Sequence, residues 1–362
     1  MKTIFISTSR PGRARPDYFF ALADSFVKKG YQVVMILDGK IKDFPKQKNI
    51  LFYTWPTKRP TKAADFLFLI KLIKKYRPGI LISSFGSVNV MNFCGYVLNV
   101  KNRINFILSV SEPFYEKVSC GKILYHYFLK IRKRYIYKLA TLLVCNSDGT
   151  LQDSKNFYNL SQKEFLVLHN LIRNSLVNYT PQVERKLQIL IVGSLIKRKG
   201  HNNLLKQFRE TLKEFPSMKL IIVGEGIEKN NLQSKVKDLE ISENVVFTGE
   251  IPNKNIAKYF SESLISISAS YHEAFGFVNI EAMREGTPLV STKTAGGMEV
   301  VKEGINGCYF DLKGLESLTN SVKIILGNWE EYSQNSIKLF MDFYSLEEQI
   351  DRHRDLLMKY LK

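Results

Sequence analysis

Several things are scarce in this chain of 362 residues. Cysteine occurs four times, as Cys94, Cys120, Cys145 and Cys308, each in an apolar setting and with no CxxC or His-rich spacing. The four read as small buried hydrophobes, which argues against a disulfide framework and against a thiolate metal site. The five histidines are scattered. No Asp-x-Asp pair occurs either, so a common way of holding a divalent ion is missing and no metal site is expected. No apolar run approaches the ~18 residues of a membrane span, and the apolar core of the N-terminal MKTIFIST is too short for a signal peptide. The expectation is a cytoplasmic protein. Low-complexity tracts and short repeats are absent, which excludes fibrous and solenoid architectures. What remains is 45% hydrophobic and long enough for two ordinary domains, each with its own core.

Acidic residues are scarce in one half only. Residues 1–180 hold 29 Lys+Arg against 10 Asp+Glu, which leaves 53 − 29 = 24 basic and 34 − 10 = 24 acidic residues for 181–362. The whole net charge of +19 therefore lies in the first half. Such asymmetry predicts a boundary near Thr180-Pro181 and a first half that meets something anionic.

Along the chain, KTIFIST reads as a buried strand, followed by a loop with Arg10, Arg13 and Arg15 around Gly12, a loop that suits a phosphate or is a solvated turn. A helix through FFALADSFVKKG and a strand YQVVMIL complete a strand-helix-strand unit, the start of a doubly wound parallel sheet. Similar units run through ILISSF, INFILSV and TLLVCNS, and LHNLI leads toward the linker. The alternation restarts at LQILIVGSLIKRKG and continues through MKLIIVGEGIE and NVVFTGEI. The Gly-Glu-Gly turn is weak evidence for a nucleotide, since close helix-strand packing accounts for it. The fold class is therefore α/β, with two Rossmann-like doubly wound domains.

The stretch Ser268–Gly297 carries the chemistry. LISISAS looks like a buried strand, VNIEAMREG has helical composition and stops at Gly286, and Phe275-Gly276-Phe277 forms the turn between them. Gly276 lets backbone approach a ligand, and the first N–H groups of the following helix lack intrahelical partners and carry the positive end of its dipole, so a phosphate fits there. Glu281, one turn into the helix, is placed to accept both hydroxyls of a ribose, and Glu273 to face the group hanging from the phosphates. A single Glu on a helix is usually solvated surface. The joint pattern of Glu273, seven residues, Glu281, followed by E-A-M-x-x-G-x-P-L-V, Gly296-Gly297 and Asn306-Gly307, resembles the donor-site signature of glycosyltransferase family 4, the retaining group 1 enzymes of the GT-B fold.

The resemblance is strong over 187–312 and only architectural over 1–180. It implies two Rossmann-like domains facing across a cleft: an acceptor-binding domain over 1–183, a nucleotide-sugar domain over 184–345, and a helix over 346–362 that crosses back to the first. It implies a sugar transferred from a nucleotide diphosphate-sugar, UDP-sugar favoured over GDP-sugar, to a glycan or lipid-linked acceptor, without cofactor or metal. Lys199 matches a family Lys that holds the donor diphosphate, but Ser194, after Gly193, stands where the family has an Arg; Arg198 or Lys197 then takes that place, or the N-terminal arginines, or the Ser194 hydroxyl with a weaker bond. The loop after NVVFTGEI resembles the segment that contacts the base. Glu273 and Lys199 are the catalytic candidates, and Gly193, Ser194, Arg198, Phe275, Gly276, Phe277, Glu281 and Gly12 the donor-binding ones. Glu112 is a candidate acceptor-side base or hydroxyl anchor.

Two other readings are open, a GT-B-like nucleotide-sugar epimerase and a basic nucleic-acid-binding protein, the second without any nucleic-acid motif to support it. The segment KILYHYFLKIRKRYIYKLA at 122–140 interleaves Lys130, Arg132, Lys133, Arg134 and Lys138 with aromatic and aliphatic side chains. Such a mixture suits an anionic membrane surface, and the expectation is a peripheral protein on the inner face of the plasma membrane.

Overall fold

The computed structural model describes residues 2–9, 14–39, 48–111, 123–174, 184–314 and 316–361. The chain forms two compact units, Met1–Arg173 with Leu346–Lys362, and Asn174–Ser345. The division falls at Arg173/Asn174 rather than at 183/184, because Leu168 and Leu171 of the LHNLI segment are buried in the core of the first unit.

In the first unit the order is β1 (Thr3–Thr8), α1 (Ala14–Lys28), β2 (Gln32–Leu37), β3 (Ile50–Thr54), α2 (Ala63–Tyr76), β4 (Ile80–Ser84), α3 (Val88–Val97), β5 (Asn102–Ile107), α4 (Ile123–Lys138), β6 (Leu142–Cys145), α5 (Asp148–Tyr158) and β7 (Phe165–Val167). The strands pair in parallel in the order β3-β2-β1-β4-β5-β6-β7. Runs such as TIFIST and ILISS are buried along their whole length, as strands covered on both faces must be. Alternate residues serve opposite faces: Ile4, Ile6 and Met35 pack with Phe19 and Leu22 of α1, and Phe5, Val34 and Ile36 with Leu69 of α2 and Met91 of α3. The β3 and β7 strands were not expected from the sequence. Cys94, Cys145 and Cys308 are free and buried, as expected, whereas Cys120 lies outside the described residues.

The second unit runs β8 (Lys186–Val192), α6 (His201–Leu212), β9 (Lys219–Val223), α7 (Lys229–Asp238), β10 (Val245–Gly249), α8 (Asn253–Ser261), β11 (Ser263–Ser268), α9 (Phe277–Arg284), β12 (Leu289–Ser291), α10 (Ala295–Val300), β13 (Gly307–Tyr309), α11 (Ser317–Gly327) and α12 (Trp329–Phe343). Its parallel sheet has the order β10-β9-β8-β11-β12-β13. Strands added after β8 spread to one side and those from β11 onward to the other. That reversal between β8 and β11 opens a crevice beyond their carboxyl ends, the place where such sheets bind ligands. Arg185 ties the amino ends together: its Nη1 donates to the carbonyls of Phe260 and Ser263 and to Thr287 Oγ1, and its Nη2 to the carbonyl of Glu285 at 2.6 Å, while the guanidinium lies over the Trp329 ring.

The last helix, α13 (Leu346–Lys359), belongs to the first unit. Leu346 and Leu357 enter its core, Arg354 donates to the Ser25 carbonyl and hydroxyl of α1, and His353 meets the Tyr18 hydroxyl.

Candidate active site

A pocket of about 190 Å³ lies at the carboxyl ends of β8 and β11, lined among others by Gly193, Lys199, His201, Glu273, Gly276 and Asn279. Two loops build it. After β8 the chain makes a single 3-10 turn, Lys197–Lys199, and enters α6 through Gly200 at φ +69°. A Cβ on Gly200 would lie 1.9 Å from the carbonyl oxygen of Ala269, so only glycine lets α6 start this close to the end of β11. That approach delivers Lys199 and His201 to the pocket.

After β11, the Glu273 carbonyl accepts from Gly296 N–H at 2.8 Å, and Phe275 is buried edge-on to Phe277 and Tyr344. With the loop so anchored, Gly276 at φ +82° caps α9 and sets the amino end of that helix, Phe277 to Asn279, in the wall of the pocket. The amino ends of α6 and α9 thus converge on one cavity, and both dipoles favour an anion there.

Inside it, Lys199 Nζ lies 2.6 Å from Glu273 Oε2, each side chain about one-fifth exposed. Glu281 does not line this pocket; it is half-buried further along α9, and among the described residues no hydrogen bond or ion pair reaches its carboxylate. Burial pushes its carboxyl up to about 7, with Glu285 adding to the rise and Arg284 opposing it. His201 is buried and held neutral at about 4, first by burial and then by Lys199.

The pocket therefore gathers Gly193, Lys199, Glu273, Gly276 and Phe277. Ser194 is exposed and does not line it. Arg198 is no wall residue either; its carbonyl accepts from Tyr271 N–H. Lys197 points to solvent, and Phe275 is a core residue that fixes the loop. Gly12 and Glu112 lie outside the described residues, as do Arg10, Arg13 and the side chain of Arg15. The loop after β10 starts at Gly249, whose carbonyl accepts from Gly224 N–H at 2.9 Å, which joins it to the turn after β9. His201 and Asn279 were not singled out from sequence; the only signal was that each stands within three residues of Lys199 or Gly276.

Residues 176–338 match the family of glycosyl transferases group 1. An uncharacterised glycosyltransferase of Haemophilus influenzae is 28% identical over 352 residues, 93% of this chain and 94% of that protein. An N-acetylgalactosaminyltransferase of Campylobacter jejuni, named for a diphospho-undecaprenol-linked acceptor, is 28% identical over 195 residues, 53% of this chain and 52% of that protein. Among solved structures, Anabaena HepE in complex with UDP superposes with a TM-score of 0.75 at 17% identity, covering 100% of both chains. The matched region takes up nearly all of the second unit and contains the whole pocket, so the likeness to group 1 glycosyl transferases lies in that unit, within a chain of GT-B fold.

Proposed function

We propose that the chain is a metal-independent, retaining glycosyltransferase that moves a sugar from a UDP-sugar to a hydroxyl of a lipid-linked or cell-surface glycan precursor at the cytoplasmic membrane face. The observation that carries it is the convergence of the amino ends of α6 and α9 with Lys199 on one small cavity. Anionic oxygens developing on a leaving diphosphate meet preorganised N–H groups and one cation there, the kind of electrostatic stabilisation that otherwise needs a metal. Glu281, a carboxylate with no partner among the described residues, accepts the ribose hydroxyls.

In the reaction the bond from the anomeric carbon to the diphosphate oxygen breaks and the bond to the acceptor oxygen forms. The acceptor proton passes to the departing phosphate on the same face, so configuration is kept. Glu273 is ion-paired with Lys199, which suits balancing charge and positioning sugar hydroxyls better than attack at carbon. The UDP preference draws on the HepE complex, and the acceptor class on the Campylobacter relative. The membrane location draws on the charge split and on α4, where Tyr125, Tyr127, Phe128 and Tyr135 are exposed beside Arg132. Among the described residues no helix is long and apolar enough to cross a membrane.

The test is a panel of UDP-, GDP- and ADP-sugars, scored by thermal stabilisation and by slow donor hydrolysis in EDTA, with the anomer of the released sugar read by NMR. Stabilisation by UDP-sugars and release of the retained anomer are expected. No response to any donor, or complete loss of hydrolysis on chelation, overturns the proposal.

A further inference from the structure

Two buried side chains in this pocket have polar atoms that meet nothing. Among the described residues both ring nitrogens of His201 lack a hydrogen-bond partner, and so does Nδ2 of Asn279; each residue is 2% exposed. They sit on different elements, His201 at the first position of α6 and Asn279 at the third of α9, yet both line the one cavity that also holds Lys199. Asn279 Nδ2 lies 3.0 Å from where a Cβ on Gly276 would be, so its amide sits at the amino end of the helix.

An orphaned polar group in the interior is costly, and interiors tolerate it where a ligand completes it. What these groups lack in common is an acceptor. The asparagine amide is a donor only through Nδ2, and a neutral imidazole donates through one of its nitrogens. An acceptor with several oxygens, close to an ammonium and two helix amino ends, is a phosphate anion. Among the described residues that line the pocket Lys199 is the one lysine or arginine, and Ser194, where the family resemblance implies an arginine, is turned to solvent.

We propose that His201 and Asn279 are direct ligands of the donor diphosphate, each donating one N–H to its non-bridging oxygens and together supplying the hydrogen bonds that a cation at position 194 would have given. This rests on the reading of the pocket as the donor site. Among the described residues the anion is then countered by one cation, Lys199, and is otherwise held by neutral donors. Binding then gives a partner to two groups that have none among the described residues, and is favoured to that extent.

The test compares His201→Leu, Asn279→Leu and Lys199→Ala by calorimetry with UDP, inorganic pyrophosphate and uridine, and by thermal unfolding without ligand. Each Leu variant should bind UDP and pyrophosphate roughly tenfold more weakly, leave uridine binding unchanged, and unfold at an equal or higher temperature than wild type, because an apolar side chain replaces an unsatisfied polar one. A side chain bonded to structural water or protein would instead destabilise on replacement. His201→Gln, which keeps one donor, should fall between wild type and His201→Leu, and it serves if the Leu variant does not fold. If the Leu and Gln variants keep UDP and pyrophosphate affinity within twofold while Lys199→Ala loses it, the proposal is overturned and the donor-site reading stands. If Lys199→Ala also binds UDP normally, the donor-site reading itself fails.

Discussion

Lys199 Nζ and Glu273 Oε2 are 2.6 Å apart, so the cation proposed to hold the donor and the carboxylate proposed to position the sugar are each other's partner in the ligand-free chain. Both are partly shielded from water, so the pair is stronger than a surface bridge but far from a fully buried one. A diphosphate entering the pocket must draw Lys199 from Glu273.

The consequence separates binding from turnover. Glu273→Gln should leave UDP affinity unchanged or raise it about three- to tenfold, because Lys199 is released, while lowering turnover on the sugar donor by about 10²-fold. Lys199→Ala should lower both, with binding weaker by ~1.5–3 kcal/mol, the cost of a charge-assisted contact. Calorimetry with UDP beside initial rates decides it. A Glu273→Gln variant that binds UDP more weakly than wild type refutes the competition.

With Glu281 in its proposed role on the ribose, donor binding should depend on pH. The Glu281 carboxyl has moved from 4.5 to about 7 through burial, so the folded protein holds a proton that the unfolded chain releases between those values. Stability should therefore fall as pH rises from about 4.5 to 7 and level off above, because the unfolded state binds fewer protons in that window. Glu281→Gln should remove this fall and make the ligand-free protein more stable than wild type at pH 8, by up to about 3 kcal/mol. The ribose needs the carboxylate, so the loss of UDP affinity in Glu281→Gln should be about tenfold at pH 8 and smaller at pH 6. Parallel pH profiles for the two proteins, in melting and in binding, would show that Glu281 titrates normally.

Much of this site was legible in the sequence, and the reasons are local. LISISAS and VNIEAMREG carry their own periods, and Gly286 ends its helix at φ +66° as glycine composition implies, so the strand, loop and helix of Ser268–Gly297 could be placed without tertiary information. Orphaned status is not local. His201 looks like any helix residue until the packing of α6 against β11 shows both its nitrogens unmet, and Phe275 looks like a ligand contact until Tyr344 appears against its ring. In α4 both faces mix cations with aromatics, so periodicity could not say which lysines turn inward. Lys130 and Lys133 do, the first 4.2 Å from the Phe157 ring centre and the second 5.8 Å from that of Tyr158.

Arg185 is the stabilising node that sequence reading passed over. Its four hydrogen bonds close the end of α8, the start of β11 and the end of α9, the helix that carries Glu281. Arg185→Met should cost at least about 3 kcal/mol, since it leaves buried carbonyl oxygens unpaired, and Arg185→Lys should not restore it, because an ammonium cannot reproduce the planar fork. Urea unfolding measures this directly. Stability of Arg185→Met within 1 kcal/mol of wild type, roughly the worth of a single bond, contradicts the role.

The proposed membrane face is narrower than the five cations of α4 imply, and this changes how it should be tested. With Lys130 and Lys133 turned onto aromatic rings, and burial holding Lys133 below the ordinary lysine range, a glutamate at position 133 would damage packing whatever α4 touches. The exposed members include Tyr125, Phe128, Arg132, Tyr135 and Lys138, at helical spacings of three and four that place them along one stripe, with Tyr127 beside it. Neighbouring α3, which packs against α4, adds exposed Phe93, Tyr96 and Val97. Exposed aromatics in such number on one side of a domain mark an interaction surface. A bilayer with anionic lipid gains about 1 kcal/mol for each cation near it, and the rings sink into the headgroup boundary. Wild type should therefore co-sediment with liposomes containing anionic lipid, less so in high salt and weakly with neutral lipid. Arg132→Glu should reduce binding mainly at low salt, and Phe128→Ser with Tyr135→Ser should reduce it about tenfold at any salt, with UDP affinity untouched in both. Equal, negligible binding of wild type to both lipid mixtures would remove the membrane from the proposed function and leave a soluble acceptor in its place.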